Sequence, residues 1–176
     1  MFFFVAASLC VGIGIASVGF AQVLTNTSSQ SLQSIKVRHF GVCKSCPAFD
    51  ITLFSSGLVV FNGHVKVNSR GNFTGNVSKE AVESLISELE SIGIWSLSTE
   101  YIDSLVNDAE LYEIALQKNG VQKTVKFNQI SGRPGIDLYR MVMKVDASAN
   151  VRQWICPAPI MNSFVCGSDA WSMPTF

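Results

Sequence analysis

The sequence predicts an α+β fold: an antiparallel sheet of about five strands, two hairpins plus an additional strand, with two amphipathic helices packed on one face. Three observations carry this. Asn119-Gly120 separates two alternating runs, Leu111 to Lys118 and Val121 to Phe127, and both central positions of a type I′ turn need the positive φ that Asn and Gly tolerate. Phe49, Ile51 and Leu53 alternate with Asp50 and Thr52 ahead of Ser55-Ser56-Gly57, a second hairpin signal. Two further segments repeat apolar residues at helical spacing, each with a start signal. Helices segregated to one side of an antiparallel sheet give the α+β class.

In chain order, the first hairpin has Gly57 as the left-handed residue of its loop, so Leu53 faces Val59 and Ile51 faces Phe61 on one apolar side. A third extended segment is expected over His64 to Asn68, where Val65 and Val67 alternate with His64, Lys66 and Asn68 between Gly63 and Gly71. Ser78 caps a helix through Lys79 to about Ile92: its hydroxyl reaches an orphan backbone N–H, and Glu80 and Glu83 suit the positive end. Val82, Leu85, Ile86 and Leu89 form the buried stripe and Gly93 ends the helix. Ser98 to Ala109 reads as a long acidic loop. The Asn119-Gly120 turn sets Tyr112 opposite Phe127, Ile114 opposite Val125 and Leu116 opposite Lys123, with Glu113 opposite Lys126 on the other side. Pro134 marks the second helix, with Leu138, Met141, Val142 and Val145 as its buried stripe.

Residues 1–21 read as a signal peptide: Phe2 to Leu24 carries no charge, and Gly19 and Ala21 are small residues before Gln22. A retained anchor stays open as the alternative, because the apolar run reaches the ~20 residues of a membrane helix and no basic residue precedes it. The expected location is therefore exported, secreted or periplasmic, or else an extracytoplasmic domain on a membrane anchor. Residues 22–35 are expected to be a flexible Ser, Thr and Gln-rich tether, 36–155 one domain, and 156–176 a cysteine-bearing tail. The chain balances thirteen Lys and Arg against thirteen Asp and Glu, so nucleic acid is excluded as a partner class, and membrane contact is expected only through the N-terminal segment. The charges are uneven, with acidic residues from Glu80 to Glu113 and mostly basic ones from Ile114 to Arg152, which reads as two faces that attract one another.

The order of Cys43-Lys-Ser-Cys46-Pro47, an alternating strand, a Ser-Gly turn, a strand reaching Phe61 and Gly63, then Gly71 and a Ser-capped helix resembles an uncharacterised bacterial family of exported proteins, a domain of unknown function that opens on a Cys-x-x-Cys-Pro hairpin. The resemblance runs from about Val37 to Ile155 and also takes in Gly57, Tyr101 and Asp108. Asn107-Asp108-Ala109 departs from the family's Thr-Asp-Pro, as does the tail after Ile155. The resemblance implies a fold and export, and it supplies no activity, cofactor or ligand.

For Cys43 and Cys46 the residues leave three readings. Haem attachment fails because Pro47 stands where the axial histidine belongs. A structural disulfide needs only the oxidising compartment that a leader provides. A redox dithiol normally sits at a helix N-terminus, whereas this pair precedes a strand. Zinc would require His39 and His64 to converge on the two cysteines. The disulfide is favoured, with Cys156 paired to Cys166 in the tail because each pair is close in sequence. His64 reads as solvated, and His39 as a cover for the cysteines. Glu100, Tyr101, Asp103 and Asp108 are the candidate binding loop, without the spacing of a calcium loop. Asn26, Asn72 and Asn76 lie in glycosylation sequons. No catalytic residue, metal ligand or cofactor is assigned. The expected function leans away from catalysis, toward an exported binding or inhibitor-like module for an unknown protein or small-molecule ligand; the alternative is thiol-disulfide exchange through Cys43 and Cys46.

Overall fold

The computed structural model describes residues 32–44, 46–103, 109–128 and 132–156. The expected leader, the Asn26 sequon, Asp108, the Cys166 half of the tail pair and most of the tail lie outside them. Within the described residues the fold is α+β, a seven-stranded sheet with three α-helices.

Strands β1 (Ser34–Phe40), β2 (Ala48–Phe54), β3 (Leu58–Val65), β4 (Gly71–Asn76), β5 (Glu100–Tyr101), β6 (Leu111–Lys118) and β7 (Val121–Asn128) lie in the order β4-β3-β2-β1-β6-β7-β5. All neighbours are antiparallel except β5 and β7. Both expected hairpins form in the expected register: Leu53 faces Val59 and Ile51 faces Phe61, and Tyr112 faces Phe127, Ile114 faces Val125 and Leu116 faces Lys123. Positive φ at Gly57 (89°), Asn119 (53°) and Gly120 (78°) supplies the turns. Lys123, on the buried side, donates from Nζ to the Leu97 carbonyl.

The strand count corrects the expected five. β1 is a full strand at the centre of the sheet, pairing β2 on one side and β6 on the other, and it begins at Ser34, inside the segment expected to be a tether. Ile35 and Val37 are wholly buried there. The expected strand over His64–Asn68 does not form: β3 runs on through Val65, Lys66 turns the chain with φ of 55°, and the return strand is β4. The acidic loop also contains β5, where Glu100 lies against Lys126 and Tyr101 against Phe127.

Helix α1 (Lys79–Ser91) starts as expected, with the Ala81 N–H donating to the Ser78 hydroxyl at 3.1 Å. It buries Val82, Leu85, Ile86 and Leu89. Gly93, at φ of 78°, turns the chain into a 3-10 helix (Ile94–Ser96). Helix α2 (Gly132–Ser148) buries Leu138, Met141, Val142 and Val145, and also Asp146. A short helix α3 (Arg152–Ile155), which sequence patterning does not resolve, carries Trp154 onto the sheet, stacked on Phe61 with ring centroids 4.9 Å apart. The buried side chains of the helices and of one sheet face form a single cluster. The acidic and basic segments do meet, through Lys144 with Glu88 and Lys118 with Glu90, half-exposed surface pairs that contribute about 1 kcal/mol or less each. Among the described residues no helix is long and apolar enough to cross a membrane.

Candidate functional site

Alternation along β1 places Ile35, Val37 and His39 on the helix side and Lys36, Arg38 and Phe40 on the other, and each set builds a distinct site.

On the helix side, His39 is 4% exposed and lies over Phe49, ring centroids 4.0 Å apart and nearly parallel. Tyr112 meets it edge-on at 5.1 Å. Its Nε2 is 3.0 Å from Asp146 Oδ2 on α2, and its Nδ1 is 3.5 Å from Glu110 Oε1 just ahead of β6. The Asp146 contact falls outside hydrogen-bond alignment, so charge attraction holds it. Glu110 also accepts from the Tyr112 hydroxyl at 2.9 Å, and Tyr139 of α2 packs on Tyr112 at 5.4 Å. Burial of the ring works against its protonation, but Asp146 and then Glu110 outweigh burial and raise the imidazole pKa to about 9. Burial pushes the Asp146 carboxyl up, opposed by His39 and reinforced by Glu110. Burial likewise pushes the Tyr112 and Tyr139 phenols up, with Glu110 adding to it. The cluster ties β1, β2, the start of β6 and α2 together by charge in a dry setting. His39 and Asp146 are almost wholly buried, so the cluster contributes to the cohesion of the fold.

Directly beyond His39, the chain makes the β1–β2 connection that carries the two cysteines. Gly41 takes φ of 61° in a space where a Cβ would come within 2.9 Å of the Ala48 Cβ. Cys43 and Cys46 lie at disulfide distance, with Cα atoms 5.1 Å apart, and the Cys46 N–H donates to the Cys43 carbonyl at 3.3 Å. Lys66 crosses from the β3–β4 turn and donates to the same carbonyl at 3.0 Å. The pair therefore sits on a strand-to-strand loop without a helix N-terminus, the feature that lowers a thiol pKa in redox dithiols. The zinc reading is corrected. His39 points into the core and His64 lies on the opposite sheet face beside Asp50, with Nε2 3.5 Å from Oδ2. Among the described residues no group of His, Cys, Asp and Glu is placed to hold a metal.

The candidate loop is divided. Tyr101 is half-buried against the core, and its hydroxyl accepts from the Ser98 N–H at 3.0 Å. Buried Asn128 holds Asp103 by its backbone, donating to the Asp103 carbonyl at 3.1 Å and accepting from its N–H at 3.4 Å. Glu100 and Tyr101 are thus sheet residues and Asp103 is an anchor point of the loop.

The other sheet face is the second site. Asp50 of β2 gathers Arg38 at 2.8 Å, Lys36 at 3.7 Å and His64. Burial raises the Asp50 carboxyl, but the Arg38 guanidinium outweighs it and holds the pKa below the usual carboxylate range. Phe40 lies between two cations, the Arg38 guanidinium carbon 5.7 Å and Lys126 Nζ 5.3 Å from its ring centroid. Thr52, Val60, Glu113 and Thr124 complete a half-exposed surface that no described helix covers. Alternation along the strands could have located both sites, because His39 follows Ile35 and Val37 on one side while Arg38 and Phe40 share the other.

The chain matches no curated protein. A family model described as a domain of unknown function (DUF6438) matches residues 33–146, from the start of β1 to the buried aspartate of α2. That span is well over half of the sequence, and the chain belongs to this family.

Proposed function

We propose that the domain is exported and acts as a non-catalytic binding module whose contact surface is the open sheet face around Phe40. One observation carries the reading: Phe40 stands half-exposed between the cationic groups of Arg38 and Lys126, on a rigid strand at the centre of the sheet. An aromatic ring flanked by cations suits a protein partner that presents carboxylates beside an apolar group. The charged cluster on the helix side supports the same reading by fixing β1 from beneath, so that the surface is organised before a partner arrives.

The test is a double substitution, Phe40→Ala with Lys126→Ala, both away from the core. Capture of a partner from the exported fraction should fall at least tenfold while circular dichroism stays unchanged. Undiminished capture would remove the open face from consideration. Export itself is tested by intact mass, with a mature chain starting at Gln22 expected. Thiol-disulfide exchange is the rival, and its specific support is that Cys43 and Cys46 are both half-exposed. Replacing Cys46 with Ser would then accumulate mixed disulfides at Cys43.

A further inference from the structure

Strand β4 is one edge of the sheet, and among the described residues nothing pairs with its outer side. Edge strands in soluble domains are commonly protected by charges, proline or a bulge. β4 has none of these: its sequence is Gly-Asn-Phe-Thr-Gly-Asn, and its pairing with β3 runs without a register shift.

The direction of its free backbone groups follows from one hydrogen bond. The Val77 N–H donates to the Gly57 carbonyl at 2.9 Å, which makes Gly57 and Val77 a hydrogen-bonded pair. Antiparallel ladders alternate, so Gly75, Phe73 and Gly71 direct their N–H and C=O groups toward β3. Asn72, Thr74 and Asn76 direct theirs outward, and the side chains of all three are exposed.

We infer that the β4 edge is a self-association surface, joining two copies of this chain antiparallel about a twofold axis at Thr74 into one continuous sheet. In that register Thr74 faces Thr74 of the second copy, and Asn72 faces Asn76. These are the residues with outward backbone groups, so each facing pair closes two hydrogen bonds. On the helix side, Phe73 of one copy falls opposite Gly75 of the other. Phe73 is 38% exposed in the single chain, and the space that a side chain at Gly75 would take is filled by the Trp154 ring, 3.2 Å from where a Cβ would stand, so Phe73 of the second copy would meet the flank of that ring. Facing Thr pairs and aromatic–aromatic contacts are favourable cross-strand combinations. A shift by one residue would set Phe73 opposite Thr74 and Asn72 opposite Gly75 and turn side chains to the wrong faces. A shift by two residues keeps the faces but pairs only two of the three outward residues of each strand, so the register centred on Thr74 closes the most hydrogen bonds, and a second copy of this uncharged strand supplies the matching set. Contacts below ~1,200 Å² belong to the weak class of interface, and the expected dissociation constant is roughly 1 to 100 µM.

Sedimentation equilibrium of the full mature chain across that concentration range tests the inference, alongside two exposed single substitutions, Thr74→Lys and Thr74→Glu. The wild type should dimerise. Each variant alone should associate at least tenfold more weakly, because it faces its own charge across the axis. An equimolar mixture of the two should recover a dimer through a Lys–Glu pair. A wild-type chain that stays monomeric, variants that associate like the wild type, or a mixture no stronger than its components would each overturn the inference.

Discussion

Replacing His39 with Gln should abolish a pH dependence of stability that the buried cluster creates. In the folded protein the imidazole is raised from its ordinary 6.5 to about 9. The native state therefore binds a proton that the unfolded chain releases as the pH passes 6.5. Stability from this group is fully present below 6.5 and is lost as pH rises through about 9. Burial also raises Asp146, which adds a loss in the same direction, beginning above its ordinary 3.8. At 1.36 kcal/mol per pKa unit, the His39 shift is worth roughly 3 kcal/mol between neutral-acid and alkaline conditions. The charges that set it are Asp146 of α2 and Glu110 just ahead of β6, while Phe49 of β2 and Tyr112 of β6 pack on the ring. Urea unfolding at about pH 6 and about pH 10 measures the difference. The wild type should lose roughly 3 kcal/mol over this interval. The variant, already weaker at pH 6 by about 3 to 5 kcal/mol because buried Asp146 and half-buried Glu110 lose their cation, should lose less than about 1. Should the variant be too unstable, Glu110→Gln keeps the Asp146 contact and should show a reduced alkaline loss. Equal wild-type stability at both pH values would refute the reasoning.

Three further substitutions test local claims. Gly120→Val should cost more than about 1 kcal/mol in thermal or urea unfolding; no atom lies within 4 Å of an added Cβ, so the cost is that of the 78° φ alone. Gly63→Ala should cost about 3 kcal/mol or more, since its Cβ would stand 2.1 Å from the Ser69 carbonyl oxygen, a backbone atom that cannot swing aside. Replacing both Cys43 and Cys46 with Ser should lower stability by about 2 kcal/mol, the chain-entropy value for so short a loop, and should leave the fold intact by circular dichroism.

The hairpins, their registers, the Ser78 cap and both helix stripes were legible because each is local: a turn dipeptide or a period sets it within a dozen residues. The central strand was not, although its alternation is complete. Ser-Ile-Lys-Val-Arg-His-Phe inverts polarity at its end, with a charged-type residue, His39, on the core side and an aromatic, Phe40, on the solvent side. Alternation alone puts His39 on the core side, but the partner that makes such a residue tolerable there is Asp146, more than a hundred positions away. The signals were nonetheless present. Asp146 follows Leu138 and Val142 at intervals of four on the buried stripe, and Glu110 precedes Tyr112, Ile114 and Leu116 at intervals of two. Two ionisable residues at core positions of β1 and α2, and a third just ahead of β6, point to one another. β5 was invisible for a different reason: two residues carry no period, and tertiary pairing with β7 alone makes them a strand.

Hydroxyl-radical footprinting of the domain with and without its captured partner shows whether the proposed partner meets the open sheet face or the cysteine loop. Oxidation of Phe40 should fall in the complex while Val42 beside the cysteines and Trp95 after α1, exposed by 56% and 38%, react as before. Protection of Val42 with Phe40 unchanged would contradict the open-face proposal.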